Sequence, residues 1–193
     1  MDLGIEGKRA LVTASSKGLG RAAAIALAAE GCRVAICARG EEALRDTEQT
    51  IAKLGTEVLA IVADVTAVDA PARLVASTVE RFGGLDILVA NAGGPPPGRA
   101  LEVTDEQLAA ALNANLLTSV RLVREAVPYI RQGGWGRICL ITSYSIKQPI
   151  PTLALSNTAR TGLWAWAKTA AADLWADRIT LNLACPGAHA TDR

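Results

Sequence analysis

Thr13-Ala14-Ser15-Ser16-Lys17-Gly18-Leu19-Gly20 sets two glycines one residue apart directly after a short apolar run. Gly18 and Gly20 let the main chain approach a ligand closely. A helix opening at Gly18 would aim its unpaired N–H groups and the positive end of its dipole at that ligand. A pyrophosphate suits such a point. An ordinary strand-to-helix turn can carry a glycine pair too. The position after the first strand and at the start of the first helix favours a dinucleotide. No G-x-x-x-x-G-K-[ST] pattern is present, so the loop is not a P-loop.

A second candidate is Arg39, at the end of Cys37-Ala38-Arg39. A carboxylate there would accept from a ribose 2′-hydroxyl and favour NAD. Arg39 would instead pair with a 2′-phosphate, and Lys17 adds a second positive charge, which favours NADP(H). The competing reading is two solvated surface cations. His189 is the only histidine and reads as a loop residue without partners for a metal. Cys32, Cys37, Cys139 and Cys185 show no C-x-x-C spacing. They read as buried, reduced thiols of a cytoplasmic protein, with no metal site.

The elements that must position these residues follow from periodicity. Near-continuous apolar runs over 9–13, 33–38, 57–63, 85–90, 137–142 and 179–184 predict strands of a parallel sheet covered on both faces. Helical stretches fill 18–30, 41–54, 68–82, 104–131 and about 152–175. Gly31 and Gly55 close the first two helices, and Thr104 with Gln107 predicts a capping box. Gly94-Pro95-Pro96-Pro97-Gly98 is a loop. The alternation predicts a single α/β domain with a doubly wound parallel sheet and right-handed crossovers. Ligands of such sheets bind just beyond the strand carboxyl ends.

Composition narrows the function. The chain has 193 residues, which fits one domain. Twenty Lys and Arg against nineteen Asp and Glu leave a net charge of +1, which argues against a nucleic-acid partner. The start, Met1-Asp2-Leu3-Gly4-Ile5-Glu6, does not read as a signal peptide, and no apolar run is long enough for a membrane span.

With these motifs in order, the chain from its first strand to Arg193 resembles the short-chain dehydrogenase/reductase family. Thr13–Gly20 is similar to its T-G-x-x-x-G-x-G, with Ala14 for the first glycine. Asp64-Val65 resembles its adenine-contacting site, and Asn91-Ala92-Gly93 resembles the end of its N-N-A-G. Asn115 matches its helix asparagine, and Ser143 its catalytic serine. Pro186-Gly187-Ala188-His189-Ala190-Thr191 matches its P-G-x-x-x-T, whose Thr191 position contacts the nicotinamide carboxamide. The resemblance implies a Rossmann-type fold and a cofactor site including Thr13, Ser15, Lys17, Gly18, Leu19, Gly20, Arg39, Asp64, Val65, Asn91, Ala92, Gly93, Pro186, Gly187 and Thr191. It also implies a small-molecule carbonyl or alcohol substrate and a homodimer or homotetramer. Helices 104–131 and 152–175, the latter with Trp164, Trp166 and Trp175, would supply packing or that interface. Family members continue beyond the position of Arg193 into a lid and a last strand, so a C-terminally truncated domain with an open sheet edge is expected.

The family's Tyr-x-x-x-Lys is replaced. The matching positions hold Ser156 and Arg160, still i,i+4 on one helical face. A serine hydroxyl is a far weaker acid than a tyrosine, and an arginine cannot relay a proton. Three readings stay open. Tyr144, beside Ser143, serves as the acid. Alternatively Ser143, Ser156 and Asn115 polarise the carbonyl, with a water relay or an acidic product hydroxyl completing the step. In the third, the fold binds NADP(H) without redox chemistry. An oxidoreductase is the first expectation, and a non-catalytic NADP(H)-binding protein the alternative.

Overall fold

β1 (Arg9–Val12), β2 (Arg33–Ala38), β3 (Val58–Val62), β4 (Ile87–Ala90), β5 (Gly136–Ile141) and β6 (Ile179–Ala184) form one parallel sheet in the order β3-β2-β1-β4-β5-β6. The structure, a computed structural model, describes residues 2–189. Each strand falls within a run read from the sequence or one residue outside it. The pairing is in strict register, with Leu11 opposite Ala35 on one side and Leu88 on the other. The order reverses between β1 and β4, so a crevice opens above their carboxyl ends, the usual ligand position in such sheets.

The helices cover the sheet from both faces. α1 (Gly18–Ala29) and α2 (Glu41–Ala52) lie on one face, where Ala24, Ala28, Leu44 and Ile51 pack on Val12, Val34 and Ile36. α3 (Ala70–Phe82), α5 (Thr118–Gln132) and α6 (Ala154–Leu174) lie on the other, where Leu74, Leu122, Ile130 and Leu163 pack on Leu11, Leu88 and Leu140. Alanine on α1 lets the helix sit close to β-branched strand residues. Gly31 and Gly55 follow their helices at φ 81°, a conformation that glycine adopts without cost.

The stretch 104–131 is not one continuous α-helix. α4 (Asp105–Leu112) begins at the expected capping box, with Thr104 and Gln107 satisfying each other's main-chain N–H. A π-turn over Asn113–Leu117 then separates it from α5. The extra residue of a π-turn rephases the side chains that follow, and such turns concentrate at functional sites. The turn packs on α6 at Gly162, where an added Cβ would lie 2.7 Å from Leu116 Cδ1.

At the amino ends of the strands, Arg9 clamps Asp86. Arg9 Nε and Nη2 donate to the two carboxylate oxygens at 2.7 and 2.8 Å, and the Arg9 N–H donates to Oδ2 at 2.9 Å. Asp86 is buried. Burial pushes its carboxyl up, but the hydrogen bonds and charge of Arg9 outweigh this and hold it below its ordinary value.

The reading of all four cysteines as buried needs correction: Cys32 and Cys37 are buried, but Cys139 is only half-buried. Cys185 is exposed rather than buried, because β6 is an edge strand and the residue follows it. Trp175, in the 3₁₀ turn after α6, is 81% exposed and so is not part of the core. Asp177, in the same turn, pairs with Arg131 of α5 at 2.7 Å. Among the described residues, no helix is long and apolar enough to cross a membrane, and no cluster of side chains could hold a metal ion.

Candidate cofactor and substrate site

The β1–α1 loop is fastened on three sides. Thr13 Oγ1 donates to the Asn91 carbonyl at 2.7 Å and accepts from the Asn91 N–H at 2.9 Å, which ties the end of β1 to the end of β4. Ser15 is fully buried and does the same toward β2: its N–H donates to the Cys37 carbonyl at 2.9 Å, and its hydroxyl accepts from the Cys37 N–H at 3.1 Å. Asn91 Nδ2 donates to the Ala14 carbonyl at 3.2 Å. A Cβ at Gly20 would run into that carbonyl and that amide, so only glycine fits. Gly18 has φ 57°, and Ala14 holds φ 49°, a left-handed conformation that costs a residue with a Cβ about 1 kcal/mol.

The amino end of α1 has no side-chain cap. Its first N–H groups therefore face the crevice ready for an anion. Leu19 is half-buried behind them, and Lys17 is exposed. Arg39 is exposed at the end of β2, next to the end of β3. There Asp64 accepts from the Thr66 N–H and hydroxyl at 2.9 and 2.8 Å, bonds that hold its carboxyl below its ordinary value, with a smaller push from Arg39. Val65 is buried beneath this loop. Ala92 and Gly93 continue from Asn91 along the crevice above β4. Pro186 and Gly187 follow β6, and the Pro186 carbonyl accepts from the Tyr144 N–H at 3.1 Å. Thr191 lies outside the described residues.

The second half of the site gathers around the end of β5. Ser143 follows the strand, and its hydroxyl accepts from the Ser145 N–H at 3.2 Å. Tyr144 sits past the strand end in a short 3₁₀ turn and is 45% exposed. Lys147 is not directed at Tyr144; its ammonium lies 4.2 Å above the Trp164 ring. Ser156 and Arg160 are both buried on α6. Arg160 Nε donates to Ser156 Oγ at 3.2 Å, while Nη1 donates to the carbonyls of Ile141 and Thr142 at 3.0 and 2.9 Å. The guanidinium thus joins α6 to the end of β5. Because Ser156 Oγ accepts from Arg160, its own proton is left to be donated.

Asn115 is 3% exposed in the π-turn, and neither oxygen nor nitrogen of its amide has a protein partner. Leaving such a group unmet costs about 1–3 kcal/mol. Two features were not visible in the sequence. Ser145 has a buried hydroxyl without a partner beside Ser143. Asn113, at the start of the π-turn, is bonded to Thr66 and Arg121. No spacing marks either residue, because their partners come from other elements.

The geometry fits a dinucleotide: a cradle that a Cβ at Gly20 would fill, uncapped helix N–H groups, and a cation beside the second strand. The comparisons agree. A family model described as short chain dehydrogenase matches residues 8–193. The chain is 35% identical over 190 residues to versicolorin reductase 1 of Aspergillus parasiticus, covering 97% of this chain and 72% of that protein. It is similar to the crystal structure of L-sorbose reductase from Gluconobacter frateurii complexed with NADPH and L-sorbose, with TM-score 0.96, 34% identity and coverage of 100% of this chain and 73% of that one. It is also similar to an NAD+-bound xylitol dehydrogenase, with TM-score 0.90, 29% identity and coverage of 95% and 71%.

Proposed function

The chain belongs to the short-chain dehydrogenase/reductase family, a family of oxidoreductases, and we propose that it moves hydride between NADP(H) and a small carbonyl or alcohol substrate through a site without the usual tyrosine and lysine. The observation that carries the reading is the conjunction of the Gly18–Gly20 cradle at the uncapped end of α1 with Arg39, and no carboxylate, at the end of β2. The cofactor, when bound, supplies or accepts the hydride.

The chain's own residues hold and polarise. The first-turn N–H groups of α1 receive the pyrophosphate. Arg39 pairs with the 2′-phosphate, and Lys17 adds positive charge at the loop. Asp64 and Val65 border the adenine, Asn91, Ala92 and Gly93 run beneath the ribose side, and Pro186 and Gly187 flank the nicotinamide end, the end to which the family motif also assigns Thr191. Ser143 and Ser156 present hydroxyls to the reacting oxygen, with Asn115 behind them. Arg160 keeps its charge at every working pH. It therefore stabilises developing negative charge at Ser156 without passing a proton on. Positioning of this kind supplies much of the rate in hydride transfer. Tyr144, at the mouth of the site, is the one phenol near enough in sequence to Ser143 to act as an acid.

The faces of α5 and α6 support a homodimer or homotetramer. Val127, Trp166 and Ala170 leave an apolar groove between them. Free thiols at Cys32 and Cys37 are in keeping with a reducing, cytoplasmic setting.

A panel of ketones, aldehydes and sugars with NADPH, followed by loss of its absorbance, tests the reading, alongside a fluorescence titration of NADPH. Saturable binding with turnover supports it. Binding with no turnover favours a non-catalytic NADP(H)-binding protein, a reading to which the locked guanidinium of Arg160 lends weight. Absence of binding overturns both.

A further inference from the structure

Asn113 makes hydrogen bonds with both atoms of its side-chain amide and with its main-chain carbonyl, across three segments. Its Nδ2 donates to the Thr66 carbonyl, in the loop after β3, at 3.1 Å. Its Oδ1 accepts from Nη1 of Arg121, eight residues on in the first turn of α5, at 2.7 Å. Its own carbonyl accepts both the Thr118 N–H, the bond that closes the π-turn, and the Thr118 hydroxyl at 2.8 Å. An ordinary α-helix has no need of such bracing. A π-turn does, because its ring is wider and its bonds are poorer.

Two residues on, Asn115 is held in the interior with both amide atoms unmet. A buried amide without partners would drive the turn to relax into an α-helix, which would carry Asn115 to another face. The bonds of Asn113 oppose that relaxation from outside the turn. The same bonds reach the other half of the site: Thr66, whose carbonyl Asn113 holds, also caps Asp64 through its N–H and hydroxyl. One side chain therefore connects the loop beside the adenosine end to the turn that aims Asn115.

We infer that Asn113, held by Arg121 and Thr66, is a positioning residue that keeps the π-turn wound so that Asn115 stays directed into the substrate end of the site. For its effect on turnover the inference rests on the hydride-transfer reading above. Its effect on the turn does not.

The test uses the whole chain and two measurements. Turnover is compared for Asn113→Ala made alone and in an Asn115→Ala background. Misplacing a reacting group by an ångström slows turnover steeply, so Asn113→Ala alone is expected to lower kcat at least about tenfold. In the Asn115→Ala background it is expected to change kcat less than about twofold, because residues acting through one another are not additive. A similar loss in both backgrounds, or none in either, overturns the inference. Hydrogen exchange on the free protein supplies the second readout. Asn113→Ala is expected to speed exchange of the amides of 115–118 at least about tenfold, with the amides of α4 unmoved. Unchanged exchange at 115–118 overturns the inference even if the protein turns over nothing, whereas binding without turnover overturns only the hydride-transfer reading. Should the alanine variant fail to fold, Asn113→Asp keeps an oxygen for Arg121 and loses the donor to Thr66; it is expected to show the same selective exchange and the same dependence on Asn115.

Discussion

Arg160 donates to the Ser156 hydroxyl at 3.2 Å and, with a second nitrogen, to two main-chain carbonyls at the end of β5. The guanidinium is thus tied to the scaffold, and on the proposed reading Ser156 is the part of the pair that meets the substrate. Ser156→Ala should lower kcat about 100-fold, the typical loss of one preorganised donor, while NADPH affinity stays within about twofold. Steady-state turnover with a parallel binding titration checks this. An equal loss in binding would mean that Ser156 serves the fold rather than the reaction.

The proposed NADP(H) reading makes Arg39, exposed at the end of β2, the residue that pairs with the 2′-phosphate. Arg39→Ala should raise the KM for NADPH about tenfold, the worth of one charge-assisted pair at an exposed site, and leave the KM for NADH unchanged. High salt should narrow the difference between the two cofactors in the wild type. Equal effects on NADPH and NADH would remove Arg39 from 2′-phosphate recognition.

The Arg9–Asp86 clamp makes stability depend on acid in a defined direction. The native carboxyl titrates below its unfolded value. Its contribution is therefore complete above the ordinary carboxylate range of about pH 4 and is lost as pH falls through the lowered native value. Asp86→Asn should cost about 1–3 kcal/mol at neutral pH, because it removes the charge from a hydrogen-bonded pair whose carboxylate is buried and whose guanidinium is half-buried. Urea unfolding of wild type and variant across pH should show the gap closing below about pH 4. A gap that persists there would place the cost in packing.

Cys185 should be the reactive thiol. Burial pushes both Cys32 and Cys37 up to about 11, and burial raises Cys139 as well. Exposed Cys185 follows the edge strand. Iodoacetamide on the native protein at about pH 8 should label Cys185 at least about tenfold faster than the other three. Peptide mass spectrometry reads the order, and early labelling of Cys37 would mean that the β1–α1 loop opens.

Much of this was legible in the chain itself, for a physical reason. β1, β2 and β4 are buried almost throughout and leave unbroken apolar runs; β3, β5 and β6 are less covered but still rich in Val, Ile and Leu, so all six were visible, and the parallel order follows from the helices between them. The glycine loop was visible because a close main-chain approach demands glycine. The i,i+4 spacing placed Ser156 and Arg160 in contact. The carbonyls that Arg160 holds are 18 and 19 residues away, and main-chain acceptors leave no mark in a sequence. The π-turn was hidden for a similar reason: Leu112-Asn113-Ala114-Asn115-Leu116 reads as ordinary helix, and what distinguishes it is the reach of Asn113 to Thr66. Cys185 was misjudged because a free cysteine is usually buried, whereas this one follows an edge strand and is exposed.

Arg9 and Asp86 meet at the opposite rim of the sheet from Thr13, Asn91 and Ser143. Endurance and chemistry are thereby housed apart, separated by the full length of the strands. Selection can harden or soften the lower rim against heat and acid while the upper rim drifts toward new substrates, and neither change has to wait for the other.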